Sequence, residues 1–231
     1  MRRQSGILLH ISSLPSRYGI GSLGKAAYQF IDFLQASGQT LWQVLPVGVT
    51  GFGDSPYQSF STFAGNPYFI DLEELLEEDL LEPEEVQEAS QNGSVDRVEY
   101  GMLFEKRLPL LKKAALRGYG RYGAEEQDFY RENQDWLPDF SLFMALKTHF
   151  SQKPYWEWPK EIREREEQAM EHYRSLLEED IRSAQFSQFL FDRQWRDLKE
   201  YASRHEVEII GDLPIYVAED SADTWSHPEL F

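Results

Sequence analysis

The first 47 residues alternate short apolar runs with one amphipathic stretch. "GILLHIS" (6–12) is apolar without helical spacing and is bounded by Ser and Pro, which predicts a buried strand. "KAAYQFIDFLQASG" carries Ala27, Phe30, Ile31 and Leu34 at helical spacing, so it predicts a one-faced helix, with Gly38 suited to the position just past its end. "TLWQVLPV" (40–47) predicts a second buried strand. Strand, helix and strand in this span make a βαβ unit with parallel strands. A long segment without period, "GVTGFGDSPYQSFSTFAGNPYFID", then runs to Asp71. Ordered loops of this length are usually functional, and its Phe and Tyr content argues against disorder.

From Leu72 to about Gln185 the pattern is helical and strongly charged, and residues 73–88, with nine acidic side chains and no basic one, read as a solvated helix face. "DFSLFMALKTHF" (139–150) predicts a buried helix with Phe143, Leu146 and Phe150 on one face, and "KPYWEWP" (153–159) an aromatic loop. A further helix carries a stripe of Phe191, Trp195, Leu198 and Ala202. "VEIIGDLPIYV" (207–217) predicts a third buried strand. The expected division is 1–72 for the first βαβ unit and its loop, 73–185 for a helical insertion, and 186–231 for the returning helix and third strand.

"GIGSLG" (19–24) matches the dinucleotide fingerprint, but its context does not. The first glycine lies well past the strand, and the second strand ends in "VLPVG" with no acid to hold a ribose. The glycines are expected to shape the loop that enters the first helix.

Composition narrows the partners. A net charge of −17 disfavours nucleic acid and anionic membranes, and no apolar stretch is long enough to span a bilayer. The N-terminal apolar run is broken too early for a signal peptide. There is no cysteine, which fits a reducing, cytoplasmic setting. No spacing of His, Asp and Glu suggests a metal site, so no metal or cofactor is expected.

In parallel α/β folds ligands gather at the carboxyl ends of strands. Here the first end carries His10, Ser12 and Ser13. The second opens into Asp54, Ser55, Tyr57 and Gln58, and the third carries Asp212. Carboxylates, hydroxyls and aromatic rings without Arg or Lys suit a neutral polyhydroxyl ligand. Taken singly, each has a structural alternative: Tyr57 as a core aromatic, Asp212 as a turn brace, His10 as a satisfied core histidine.

"GILLHISSLPSRYGIGSLG", "FIDFLQASGQTLWQVLPVG", "GDSPYQSFSTFAGNPYFIDL" and "IIGDLPIYVAEDSADTW" resemble the amylomaltases, bacterial 4-α-glucanotransferases related to the plant disproportionating enzyme. The resemblance runs the length of the chain. It implies the N-terminal part of a (β/α)8 TIM barrel of the α-amylase superfamily, α/β in class, with a mainly helical insertion. It implies transfer of α-1,4-glucan segments between maltodextrins, or to glucose, by a retaining double displacement. Tyr57 matches the tyrosine that lines the sugar at the cleavage site, and Asp212 the aspartate that hydrogen-bonds that sugar. Asp54 and Ser55 lie in the same substrate loop. Tyr100 resembles a tyrosine of a second glucan surface, where Phe52 stands in place of a partner tyrosine.

The family's nucleophile motif "RIDHFRG", its acid/base motif "AEDLG" and its "THD" carboxylate do not occur here. The resemblance therefore implies no catalytic residue in this chain. The reacting carboxylates are expected beyond Phe231, in the remainder of the barrel, and the 231 residues alone are expected to be inactive. Two other readings keep the ligand but change the outcome: a non-catalytic glucan-binding module, and an α-glucan hydrolase of the same superfamily.

Overall fold

The computed structural model describes residues 3–51, 53–90 and 96–231. Three short strands, β1 (Gly6–Leu8), β2 (Leu41–Gln43) and β3 (Glu208–Ile210), form one parallel sheet in that order. The register pairs Leu8 with Gln43 and Gln43 with Ile210. Ten helices occur among the described residues: α1 (Lys25–Ala36), α2 (Leu72–Glu77), α3 (Pro83–Ala89), α4 (Tyr100–Gly118), α5 (Ala124–Glu132), α6 (Leu137–His149), α7 (Lys160–Arg163), α8 (Glu167–Leu176), α9 (Glu178–Arg204) and α10 (Ala222–Ser226). None is long and apolar enough to cross a membrane.

The chain divides into two compact units. The first comprises 1–47, 65–114 and 190–213, and the second 48–64, 115–189 and 214–231.

In the first unit, α1 buries Ala27, Ile31 and Leu34, and Gly38 past its end has φ +73°, the left-handed conformation that only glycine adopts without cost. Trp42 of β2 is fully buried, meets Phe30 edge-on at 5.0 Å, and donates its indole N–H to the Leu9 carbonyl at 2.7 Å. The strands are shorter than the apolar runs predict. β1 stops at Leu8 and Ile11–Ser13 turn into a 3-10 helix, while β3 stops at Ile210. Nor are they buried on both faces: Leu8 is 57% exposed and Ile210 41%.

The glycine motif has a structural use at every glycine. Gly19 sits at φ +78°, a Cβ on Gly21 would lie 1.9 Å from the Ile11 carbonyl oxygen, and one on Gly24 would lie 2.0 Å from Asp71 Oδ2. That contact leads to the centre of the unit. The buried Asp71 carboxylate accepts the Ser22 hydroxyl at 2.5 Å and caps α2 through the Glu73 and Glu74 amides at 3.0 and 3.2 Å. Its own amide donates to Gln194 Oε1 of α9 at 2.7 Å. Trp195, expected in the apolar stripe of α9, is only half-buried; Gln194 takes the inward position because it serves Asp71.

In the second unit, α6 is apolar nearly all round and is buried accordingly, at Phe140, Leu142, Phe143, Ala145 and Leu146. Phe143 contacts the rings of Phe60, Trp158 and Trp225 at 6.0, 5.4 and 6.0 Å. The Arg165 guanidinium lies 4.4 Å above the Trp225 ring, within cation–π range.

One half-buried acid makes the first unit sensitive to pH. Desolvation, then the carboxylates of Asp71 and Glu78, push Glu74 up to about 7; Arg193 opposes them and Asp197 adds to them. An unfolded glutamate titrates near ~4.3, so the folded state holds this proton more tightly. The stabilisation is full below the unfolded value and is lost as pH rises through about 7. Glu74→Gln is expected to flatten the fall in unfolding free energy between pH 5 and 8 and to add about 1–2 kcal/mol at pH 8, discounted for partial exposure. Urea denaturation across that range reads it, and an unchanged slope contradicts it.

Candidate functional site

The segment after β2 folds as an ordered, hydrogen-bonded loop of the second unit. Thr50 and Ser59 form an antiparallel bridge, Gly51 N–H donates to the Gln58 carbonyl at 2.8 Å, and Phe60 N–H to the Val49 carbonyl at 3.3 Å. The chain reverses between them. Asp54 adopts φ +55°, a left-handed conformation aspartate tolerates better than most residues, and its amide donates to the Gly51 carbonyl. Gln58 N–H donates to the Ser55 carbonyl at 3.1 Å and Tyr57 N–H to Ser55 Oγ at 3.3 Å. The outcome is a tip that presents Asp54, Ser55 and a Tyr57 ring that is 46% exposed. Partial desolvation raises the Asp54 carboxyl above its ordinary value.

The base of this loop is fixed from three directions. Ser59 Oγ lies 2.6 Å from both the Val49 and the Ser61 carbonyl and donates its one proton to either. Ala222 N–H donates to the Phe60 carbonyl at 2.8 Å, and Asp223 Oδ2 accepts both the amide and the hydroxyl of Thr62 at 2.8 and 3.1 Å. Lys147 of α6 is the third. Its side chain is 2% exposed, its ammonium lies 5.1 Å from the Phe60 ring, and it donates to the carbonyls of Gln152 and Lys153 and to Asp220 Oδ2 at 2.6 Å. Asp220 Oδ1 accepts the Tyr155 amide at 3.1 Å, which ties the aromatic 153–159 turn to the same pair. Lys147 hides in the sequence as one more charge in a charged region. Only its place on a helix buried all round marked it as unusual.

In the first unit the parallel register puts the carboxyl ends of all three strands on one edge. His10 follows the last residue of β1 by two positions and Asp212 follows β3 by two, so both lie just past the same end of the sheet. The His10 ring meets Phe69 edge-on at 5.3 Å, and its Nδ1 is enclosed with no hydrogen-bond partner among the described residues. Burial pushes the imidazole down to about 4, so it is neutral near pH 7. Asp212 is half-buried. Tyr100 opens α4, its ring 6.2 Å from Tyr68. Phe52 lies outside the described residues. The sequence candidates thus fall into two groups: Asp54, Ser55 and Tyr57 on the loop of the second unit, and His10, Asp212 and Tyr100 in the first.

Comparison with known proteins places this geometry in a family. A family model described as 4-alpha-glucanotransferase matches residues 9–231. A protein of that name from Clostridium butyricum is 45% identical over 223 residues, which are 96% of this chain and 46% of the relative. One from Thermus thermophilus is 46% identical over 234 residues, covering 99% and 46%. The solved structure of an amylomaltase from Streptococcus agalactiae, in complex with acarbose, superposes with a TM-score of 0.94 at 45% identity, covering all of this chain and 47% of that one. An amylomaltase from Corynebacterium glutamicum, at 18% identity and a TM-score of 0.74, shares the fold. The chain spans about half the length of the relatives it matches.

Lys147→Met is expected to destabilise the protein by about 2–4 kcal/mol, because it leaves Asp220 without its cation in a largely buried site. Adding Asp220→Asn to it is expected to recover part of that loss. A double-mutant cycle in urea checks this, and a coupling below about 0.5 kcal/mol contradicts it.

Proposed function

Because the chain belongs to the 4-alpha-glucanotransferase family, we propose that the polypeptide carrying it transfers α-1,4-glucan segments from one maltodextrin to a 4-hydroxyl of another, or to glucose. The observation that carries this reading is the family match over residues 9–231, which takes in the whole ordered loop from Gly48 and the edge bearing Asp212. The three parallel strands, with apolar side chains exposed on the outer strands, support a (β/α)8 barrel that further strands close. The relatives' greater length supports the same reading.

The chemistry is a retaining double displacement. One carboxylate attacks the anomeric carbon while a second protonates the departing oxygen, and the second then deprotonates the incoming 4-hydroxyl as the glycosyl bond to the first is broken. Neither carboxylate is assigned to this chain; we place both in the polypeptide that completes the barrel. The residues here bind and orient. The Tyr57 ring offers an apolar face to the C–H side of a pyranose. Asp212 accepts hydrogen bonds from sugar hydroxyls, the charge-assisted kind that fixes a ring's orientation. Asp54 and Ser55 supply polar contacts at the loop tip. His10, neutral, exchanges a hydrogen bond with a hydroxyl and carries no charge to it. Tyr100 contributes to a second glucan surface. Such a ligand is uncharged, so the net charge of −17 does not repel it. We place the reaction in the cytoplasm, in keeping with the absence of cysteine.

Incubation of the polypeptide as its gene encodes it with maltotriose is expected to yield glucose together with longer maltodextrins. Hydrolysis alone yields only shorter products and overturns the transfer reading. The 231 residues by themselves are expected to give neither. In the encoded polypeptide, Tyr57→Ala is expected to lower kcat/KM by on the order of 100-fold with an unchanged Tm, since loss of an oriented stacking contact acts on the transition state. Unaltered kinetics would show that the ring only packs.

A further inference from the structure

We propose that Phe63, stacked on Trp136, is an additional glucan-binding platform on the second unit, distinct from the Tyr57 ring at the loop tip. It rests on the transfer reading only for its choice of glucan as ligand.

Phe63 is 63% exposed, although it lies in the most tightly hydrogen-bonded part of its loop. Ser61, itself buried, accepts the Phe63 and Ala64 amides on its hydroxyl at 3.1 and 3.3 Å. The preceding residue, Thr62, is held through both amide and hydroxyl by Asp223. The backbone on either side of the ring is therefore fixed before any ligand arrives.

The ring itself is held as well. It lies 5.9 Å from the Trp136 ring with 23° between their planes, an offset stack that leaves a stepped apolar surface. Trp136 is anchored in turn. Its indole N–H donates to Asn133 Oδ1 at 2.9 Å, and its ring leans on the buried Phe140 at 5.9 Å. A rigid aromatic step suits the apolar C–H face of a pyranose. Preorganisation removes the ordering cost that weakens a flexible contact. An α-1,4-glucan offers such a face on every residue.

The test is native gel retardation of the encoded polypeptide in gels containing soluble amylose, run beside the maltotriose transfer assay. Phe63→Tyr keeps the aromatic face, and its apparent Kd for amylose is expected to stay within about twofold of the parent. Phe63→Leu keeps apolar packing on Trp136 but removes the flat ring. It is expected to raise that Kd at least fivefold, with Tm unchanged and transfer from maltotriose within about twofold. If Phe63→Leu melts early, Phe63→Met takes its place. The same loss is expected when Tyr57→Ala is the starting point, because the platform acts independently of the tip. Equal retardation of parent and Phe63→Leu overturns the platform whatever the activity, as does a parent that amylose does not retard. Retardation that depends on Phe63, in a protein that transfers nothing, upholds the platform and overturns the transfer reading instead.

Discussion

A buried lysine holds the second unit together. The Lys147 ammonium is shut away from water inside an apolar helix, and such a charge is tolerated only where its donors are all used. It uses them on two carbonyls and on Asp220, and its remaining side faces the Phe60 ring. Three segments distant in sequence meet around it: the loop from Gly48 to Ala64, the aromatic turn at 153–159, and the stretch that leads into α10. The loop tip with Tyr57 is ordered because its base at Phe60 and Thr62 has no freedom to move. The sugar contacts proposed for this loop therefore depend on an ion pair at its base.

The first unit follows the same logic with the sign reversed. There a carboxylate, Asp71, is buried and collects the Ser22 hydroxyl, the N-terminus of α2 and the side chain of Gln194. The fully buried Arg107 guanidinium donates to the neighbouring Ile70 carbonyl, and desolvation pulls its pKa down to about 10, against the pull of Asp71. Around this hub the glycine turn closes against α2, with Gly24 packed on the Asp71 carboxylate. Both units thus place a buried charged group at the junction of several loops and hydrogen-bond it there, which specifies a single arrangement where apolar packing alone would allow several.

Much of this was readable from residue spacing. α1 and its terminal glycine follow from Ala27, Ile31, Leu34 and Gly38, and the parallel strands follow from apolar runs on either side of a helix. The fingerprint glycines were separable from a nucleotide site by their distance from the strand and by the missing acid. What spacing did not reveal depends on partners far away in the chain. Gln194 displaces Trp195 from the inner face of α9 because it serves Asp71, and no local pattern encodes that. Lys147 and Asp220 look like surface charges until the fold puts them together. The strands proved shorter than their apolar runs because the chain turns at Ile11 and after Ile210, leaving Leu8 and Ile210 exposed. Of the candidate site residues, the loop group was legible as a polar, aromatic cluster, but its rigidity was not, since that comes from Asp223 and Lys147.

The central claim is that the loop from Gly48 to Ala64 is a preformed glucan-contact surface held from beneath. Hydrogen–deuterium exchange of the encoded polypeptide, with and without maltoheptaose, tests it most directly. The account predicts that amides at the loop base, from Ser59 to Ala64, are slow to exchange without sugar, and that sugar adds protection at the tip around Ser55 to Gln58. A base that exchanges freely in the absence of sugar, or sugar-induced protection that leaves this segment untouched, would contradict it.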